Sequence, residues 1–295
     1  MKKQINLSTQ GQRADIGALT IYRIIPNRYL RAVGPFVFLD HIAPVVHALD
    51  EPIKKEGTGA HPHRGIATLT YVLNGEDEHF DSAGNYAKVN SGGIQWMKAG
   101  NGIIHDENLN VDPNSDNRLT HAFQFWVNLP AVNKAEPPAY LAIQAGDVPR
   151  KELEGASGWI KVIAGDYENL NSIIPNYSKQ FIYHIHLNAG KKFSISSKED
   201  MEIAGFLPES NAFINEVEYK AGDFIDFDRT EGTVEIKNNN AFSIDFILFG
   251  GEHYAEPIVA EGPFVMNSKL EIADAYRDFF NGKYGEIKTK NDTIN

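Results

Sequence analysis

The sequence predicts an all-β protein built as two similar halves and closed by one helix, and three features carry that prediction. Short β-branched and aromatic runs bounded by Gly, Asn, Asp and Pro recur along the chain, at 19–25, 66–73, 121–129, 159–163, 181–187, 224–227 and 242–249. Runs of this kind mark short strands rather than helices. A proline-rich stretch, "NLPAVNKAEPPAYL" at 128–141, then divides the 295 residues into near-equal parts, each suited to one β-sandwich or barrel. Domains are therefore expected over 1–135 and 136–295. The third feature is the one segment with helical period, "SKLEIADAYRDFFNGKYG", where Ser268 and Glu271 stand in capping-box spacing. Ile272, Tyr276, Phe279 and Phe280 share a face there and Gly282 ends it, so a helix is expected over 268–281 with a polar tail behind it.

Composition narrows the function classes. With 42% hydrophobic and 23% charged residues the chain has the balance of a folded globular protein, not of a disordered or membrane one. No stretch approaches the roughly 20 apolar residues of a membrane span, and Lys2 and Lys3 have no apolar run behind them, so a cytoplasmic location is expected. A net charge of −11 without a basic patch argues against direct nucleic-acid binding. The absence of cysteine removes thiolate metal sites, which leaves histidine and carboxylate as the ligands of any metal.

The chemistry concentrates in two short stretches. In "GAHPHRGIATLTYVLNG", 59–75, His61 and His63 are two apart and share one face of an extended strand, with Cα atoms roughly 6.5–7 Å apart. Pro62 between them suits a strand start or edge. Such a pair could equally be polar surface or part of a hydrogen-bonded core. The second stretch, "GGIQWMKAGNGIIHDENL", brings glycine turns into His105 and Glu107, again two apart, while Asp106 faces away by parity. Three histidines and a carboxylate on two strands make a plausible four-ligand set for a borderline divalent metal: His61, His63, His105 and Glu107.

The sequence resembles the pirin family of the cupin superfamily through "HPHRG", "QWMKAGNGIIHDE", "QFWVNLP", "GPFVMN" and the helix after it, in the expected order over almost the whole chain. "YRIIPNRYLRAVGPFVFLDHIAP" is similar in placement. The resemblance implies a bicupin, two antiparallel jelly-roll-like β-barrels with a C-terminal helix. The first would hold one metal on His61, His63, His105 and Glu107; the second would hold none. Many cupins place a glutamate about four residues after the second histidine. Here Arg64 to Thr68 contain no carboxylate, so Glu107 has to supply it.

The resemblance further implies a metal-dependent dioxygenase like quercetin 2,3-dioxygenase, with Glu107 as the base that takes a proton from a planar enolic or flavonol-like substrate and dioxygen as co-substrate. Fe(II) is the metal expected first, and Ni, Mn, Co, Cu or Zn are admitted by the same donors. The alternative it implies is a metal- or redox-responsive regulatory protein that binds a transcription factor or metabolic enzyme. His184 and His186 form another pair in "FIYHIHLNAG", read as a solvated strand face, since no comparable cluster follows them. His41, His47, His79, His121 and His253 stand singly and read as structural or surface residues, and Trp96, Trp126 and Trp159 as core or barrel-closing residues.

Overall fold

A computed structural model describes residues 1–16, 19–49 and 57–288. The strands anticipated from apolar runs are present, for example Ile66–Asn74, Leu119–Asn128, Gln180–Leu187 and Ile244–Glu252. The helix runs Lys269–Phe280, capped by the Ser268 side chain, which accepts from the Glu271 N–H at 3.2 Å. Ile272 and Ala275 are its buried residues, and Phe280, expected on the same face, is 78% exposed. Of the expected tail, residues 289–295 lie outside the described residues.

The chain forms two compact units, and these divide it differently from a single cut at 135. One consists of Met1–Arg13, Tyr22–His41 and Val148–Tyr254; the other of Ala14–Ile21, Ile42–Asp147 and the segment from Ala255 onward. The reason lies in two terminal pairings. Strand Ile5–Gln10 zips onto Asp223–Phe227, and the C-terminal helix packs through Ile272 and Ala275 with Phe264, Met266 and Tyr284 in the unit that holds His61. The strand Ala139–Ile143, beyond the prolines, pairs with Ile94–Lys98 and stays with that same unit.

Each unit has a larger and a smaller antiparallel sheet, with one strand order in both. In the unit centred on Ile42–Asp147 the larger sheet runs Ala139–Ile143, Ile94–Lys98, Ile66–Asn74, Leu119–Asn128 and the second half of Phe36–Val46. In the unit centred on Val148–Tyr254 the matching series is Ile5–Gln10, Asp223–Phe227, Met201–Phe206, Ile244–Glu252 and Gln180–Leu187, continued by two further strands. The smaller sheets match as well. His61–His63, Ile103–Asn110, Glu76–Asp81 and Tyr86–Asn90 stand in one; Lys192–Ser197, Gly232–Lys237, Ala212–Ile214 and Val217–Tyr219 stand in the other. Between the sheets of the second series lies a core that includes Ile160, Ile185, Leu187, Ile214, Ile225, Ile236 and Phe246. Burying such side chains stabilises each by about 1.5–3 kcal/mol.

Candidate metal centre

The smaller sheet of the first barrel sets the site by register. His105 lies directly across from His61 on one side and Asp81 on the other, and Glu107 lies across from His79. Side chains two apart or directly paired share a sheet face. One face therefore carries His61, His63, His105, Glu107, His79 and Asp81, and it is the buried face: Asp77, His79 and Asp81 alternate with the more exposed Glu76, Glu78 and Phe80.

Two overlapping groups of donors result. His61, His63 and His105 offer ring nitrogens that all lie within 4.8 Å of one another. His79, His105 and Glu107 form a second such group. The structure thus gathers the three expected histidines, sets Glu107 beside only one of them in this sense, and adds a fourth imidazole. His79 is fully buried, with its Nε2 3.1 Å from Asp81 Oδ2 and its ring stacked on Tyr140 at 4.2 Å. Nothing in the linear sequence announces His79, because only the pairing of Glu76–Asp81 with Ile103–Asn110 carries it to the site. The available signal was polar residues at alternate positions in "EDEHFD", an inward face without apolar residues.

The surroundings prepare these nitrogens for a cation. His61 Nδ1 lies 2.7 Å from the Gly59 carbonyl and His63 Nδ1 lies 3.1 Å from the Pro263 carbonyl. A carbonyl can only accept, so each Nδ1 carries the proton and each Nε2 keeps its lone pair. His61 Nε2 stands 3.1 Å from His105 Nε2, a spacing that a shared proton or a common cation satisfies. Burial, reinforced by neighbouring His61, pulls His63 down to about 3 against the opposing hydrogen bond to Pro263. Burial also takes His105 well below the ordinary imidazole value, with His63, His61 and His79 adding to the effect. Neutral, crowded, buried imidazoles are what a divalent metal requires. Two buried nitrogens, His105 Nδ1 and His79 Nδ1, have no hydrogen-bond partner among the described residues. The residues present fit a divalent metal.

Glu107 is held from the larger sheet. Thr70 Oγ1 donates to its Oε1 at 3.0 Å and Gln124 Nε2 to its Oε2 at 2.7 Å. Behind it, Asp77 is raised well above the ordinary carboxylate value by burial and by the Glu107 charge, and Gln95 donates to it at 2.9 Å. Tyr140 in turn donates to Gln95 Oε1. Trp126, expected as a core or barrel-closing residue, stands edge-on to His63 at 4.8 Å and walls the site. Asp106 points elsewhere, accepting the Gly59 N–H at 3.0 Å and so tying down the loop ahead of His61.

The terminal motif "GPFVMN" also finds its purpose here. Pro263 supplies the carbonyl for His63, Val265 donates its N–H to Arg64 O at 3.1 Å, and Arg64 Nη1 meets Asp278 of the helix at 2.8 Å. Two glycines admit this packing. Gly65 has φ +81° and a Cβ there would sit 2.0 Å from Val265 O; Gly102 has φ +127° and would strike the Tyr284 ring at 2.1 Å. Only glycine adopts such angles without strain.

The pair His184 and His186 belongs to the other barrel and to a different position in it. Both rings share one carboxylate oxygen, Asp245 Oδ1, at 2.8 and 2.7 Å, and Trp159 stacks on His186 at 4.9 Å. His184 is buried, at 5% exposure, which corrects the expectation of a solvated face. Its strand, Gln180–Leu187, corresponds to Phe36–Val46 in the first barrel and not to the strand of His61 and His63.

Two antiparallel barrels of one strand order, one of them lined with imidazoles, define a two-domain cupin fold. The Pirin family model matches residues 18–127, and the Pirin C-terminal cupin domain matches residues 182–285. A Pseudomonas aeruginosa protein named "Putative quercetin 2,3-dioxygenase" is 32% identical over 252 residues, which cover 85% of this chain and 87% of that protein. Pirin of Rattus norvegicus is 31% identical over 291 residues, 96% of this chain and 94% of its own. The crystal structure of quercetin 2,3-dioxygenase from Acinetobacter baumannii superposes with a TM-score of 0.88 at 29% identity, covering 98% of this chain and 100% of that one. The chain belongs to the pirin family. Among the described residues no helix is long and apolar enough to cross a membrane.

Proposed function

We propose that this chain is a metal-dependent dioxygenase of the quercetinase type, opening a flavonol-like ring with dioxygen. The observation that carries the reading is the convergence of His61, His63 and His105 on one buried point, with Glu107 on the same sheet face. The names of the Pseudomonas and Acinetobacter relatives support it. His61, His63, His105 and Glu107 would hold the metal, with Fe(II) the ion we assign. Bound there, the metal would supply open positions at which an enolic substrate and dioxygen meet.

The chain's own residues have separable tasks. Glu107 takes the substrate hydroxyl proton. A base must stand within hydrogen-bond reach of its target and be free to receive the proton. Its place beside His105 and His79, rather than among all three imidazoles, suits that duty, and Thr70 and Gln124 fix the direction of its two oxygens. Trp126 presents an aromatic edge for a flat ring, and the buried wall of Asp77, Gln95 and Tyr140 excludes water behind the carboxylate.

The test is metal analysis of the purified protein, then anaerobic mixing with quercetin, then air. Loss of flavonol absorbance with stoichiometric carbon monoxide is the expected result, and Glu107→Gln should lower kcat at least about 100-fold while metal stays bound. A metal-loaded protein that leaves the flavonol unchanged would overturn the dioxygenase reading.

A further inference from the structure

The larger sheet of the second barrel carries a cluster of charged and aromatic side chains on the face turned away from its core. Ile160, Ile185 and Phe246 belong to the core, so the alternate residues of the same strands lie on the opposite face. Register sets these in two rows. Arg150, Lys161 and His184 stand directly across from one another in one row, and Glu152, Trp159, His186 and Asp245 in the next.

Like charges placed directly opposite each other cost stability. Arg150 and Lys161 are such a pair, and the neighbouring acids answer only one of them. Arg150 Nη2 donates to Glu152 Oε1 at 2.5 Å. Asp245 Oδ1 is taken by the two imidazoles, His184 Nε2 at 2.8 Å and His186 Nδ1 at 2.7 Å. Lys161 is left half-buried, with no hydrogen bond or ion pair to its ammonium among the described residues. Other lysines withdrawn from solvent are tied down: Lys3 donates to Thr230 O at 2.6 Å, Lys98 to Glu136 at 2.7 Å and Lys191 to Gly155 O at 2.9 Å.

The ground beside Lys161 is aromatic rather than acidic. Its Nζ lies 5.5 Å from the centre of the Trp159 ring, which the Arg150 guanidinium approaches more closely, at 4.8 Å. His184 stands edge-on to the same ring at 4.7 Å and His186 stacks on it at 4.9 Å. Burial pulls the Lys161 amine below the ordinary lysine value, Arg150 adds to that, and Asp245 opposes them. A partly desolvated lysine beside another cation holds more free amine near neutral pH, and the free amine is the nucleophile.

We propose that Lys161 is a nucleophilic amine that takes an aldehyde as an imine on this face of the second barrel. The amine lone pair bonds to the carbonyl carbon, the C=O bond breaks, and the oxygen leaves as water with the two amine hydrogens, so no oxidant or reductant is consumed. The site stands apart from the metal centre and does not rest on the dioxygenase reading.

Benzaldehyde is the probe, added to the full chain at low conversion with sodium cyanoborohydride, which reduces the imine to a stable benzylamine located by peptide mass mapping. At pH 7 Lys161 should gain the benzyl group at least about fivefold faster than the exposed Lys220 and Lys269. Arg150→Met, at an exposed position, removes the opposing cation. It should slow Lys161 about three- to tenfold at pH 7 with the thermal transition retained, and the two chains should converge as pH rises toward the ordinary lysine value of about 10.4. Labelling of Lys161 no faster than that of Lys220 and Lys269, or an Arg150→Met chain that matches the native rate at pH 7, would each overturn the proposal.

Discussion

The two barrels share a strand order and differ on one surface, the inward face of the smaller sheet. In the first barrel that face pairs His61 with His105 and Glu107 with His79. In the second the matching strands pair Phe193 with Ile236 and Ile195 with Val234. The second barrel has an extensive apolar core built through these positions, so closing this barrel needs no inward polar residues. The first barrel accepts them at a cost. Buried imidazoles and carboxylates lose hydration, and each must be repaid by hydrogen bonds or by an ion. Thr70, Gln124, Gln95, Gly59 and Pro263 supply the hydrogen bonds, and the Nε2 atoms of His61, His63 and His105 are left for the ion.

The largest effect should come from breaking that asymmetry at its centre. His63→Ala or His105→Ala should lower bound metal from about one per chain to below about a tenth, measured by elemental analysis after purification with added Fe(II) or Ni(II). His184→Ala should leave it unchanged. Equal losses from all three would place the ion in both barrels or in neither. Next comes the clamp behind the site, Lys134, whose ammonium donates to Gly65 O, Asn128 Oδ1 and Val265 O at 2.8, 2.5 and 2.8 Å. Lys134→Ala removes the donor that ties these three acceptors together, although Gly65 O keeps the Leu129 N–H at 3.1 Å, and should cost about 2–4 kcal/mol in denaturant unfolding. Burial pulls Lys134 down to about 7, with Glu256 and Glu271 opposing. The unfolded chain keeps that proton to about 10.4, so between those values it binds more protons than the native state, and native stability should rise with pH. Lys134→Met should flatten that slope.

His79 is the next test, because it asks whether the polar face works as one unit. His79→Phe keeps the ring stacked on Tyr140 but removes both nitrogens. Loss of a group that touches metal ligands typically lowers affinity about 10–100-fold, and the same is expected here, with one ion still bound at saturation. A metal affinity equal to that of the native chain would make His79 a packing residue.

The same asymmetry explains what could be read from the linear sequence. Strands such as Ile66–Asn74 and Gln180–Leu187 were legible because apolar residues facing a core leave a recognisable run. Glu76–Asp81 was not, since its inward residues are Asp77, His79 and Asp81 and its pattern reads as a polar loop. His61, His63 and His105 could be named from spacing and turn glycines. That Glu107 would stand with His79, and not equally with all three imidazoles, depends on register between strands nearly thirty residues apart, which no local pattern encodes. The traded ends are harder still: Ile5 faces Phe227, and the C-terminal segment of Ile272, Ala275 and Tyr284 packs with Ile104, far back along the chain. Pairings at such separation are set by the whole fold.

The smallest effect expected is in the second barrel, at the carboxylate that joins His184 to His186. Burial would raise Asp245, but the hydrogen bonds from His184 and His186 overcome it and hold the acid below the ordinary carboxylate range. Burial lowers His184 at the same time, against the pull of Asp245, so the ring stays a neutral N–H donor and the carboxylate stays charged. A carboxylate with a depressed folded-state value contributes stability that is present above its unfolded value of about 4 and is lost as pH falls through the folded one. Asp245→Asn should therefore destabilise by about 1–2 kcal/mol at pH 7, with the gap to the native chain narrowing below about pH 4. Bound metal should not change. If Asp245→Asn instead altered metal content, the histidines of the second barrel would belong to the metal chemistry, and the contrast between an imidazole-lined barrel and an apolar one would have to be redrawn.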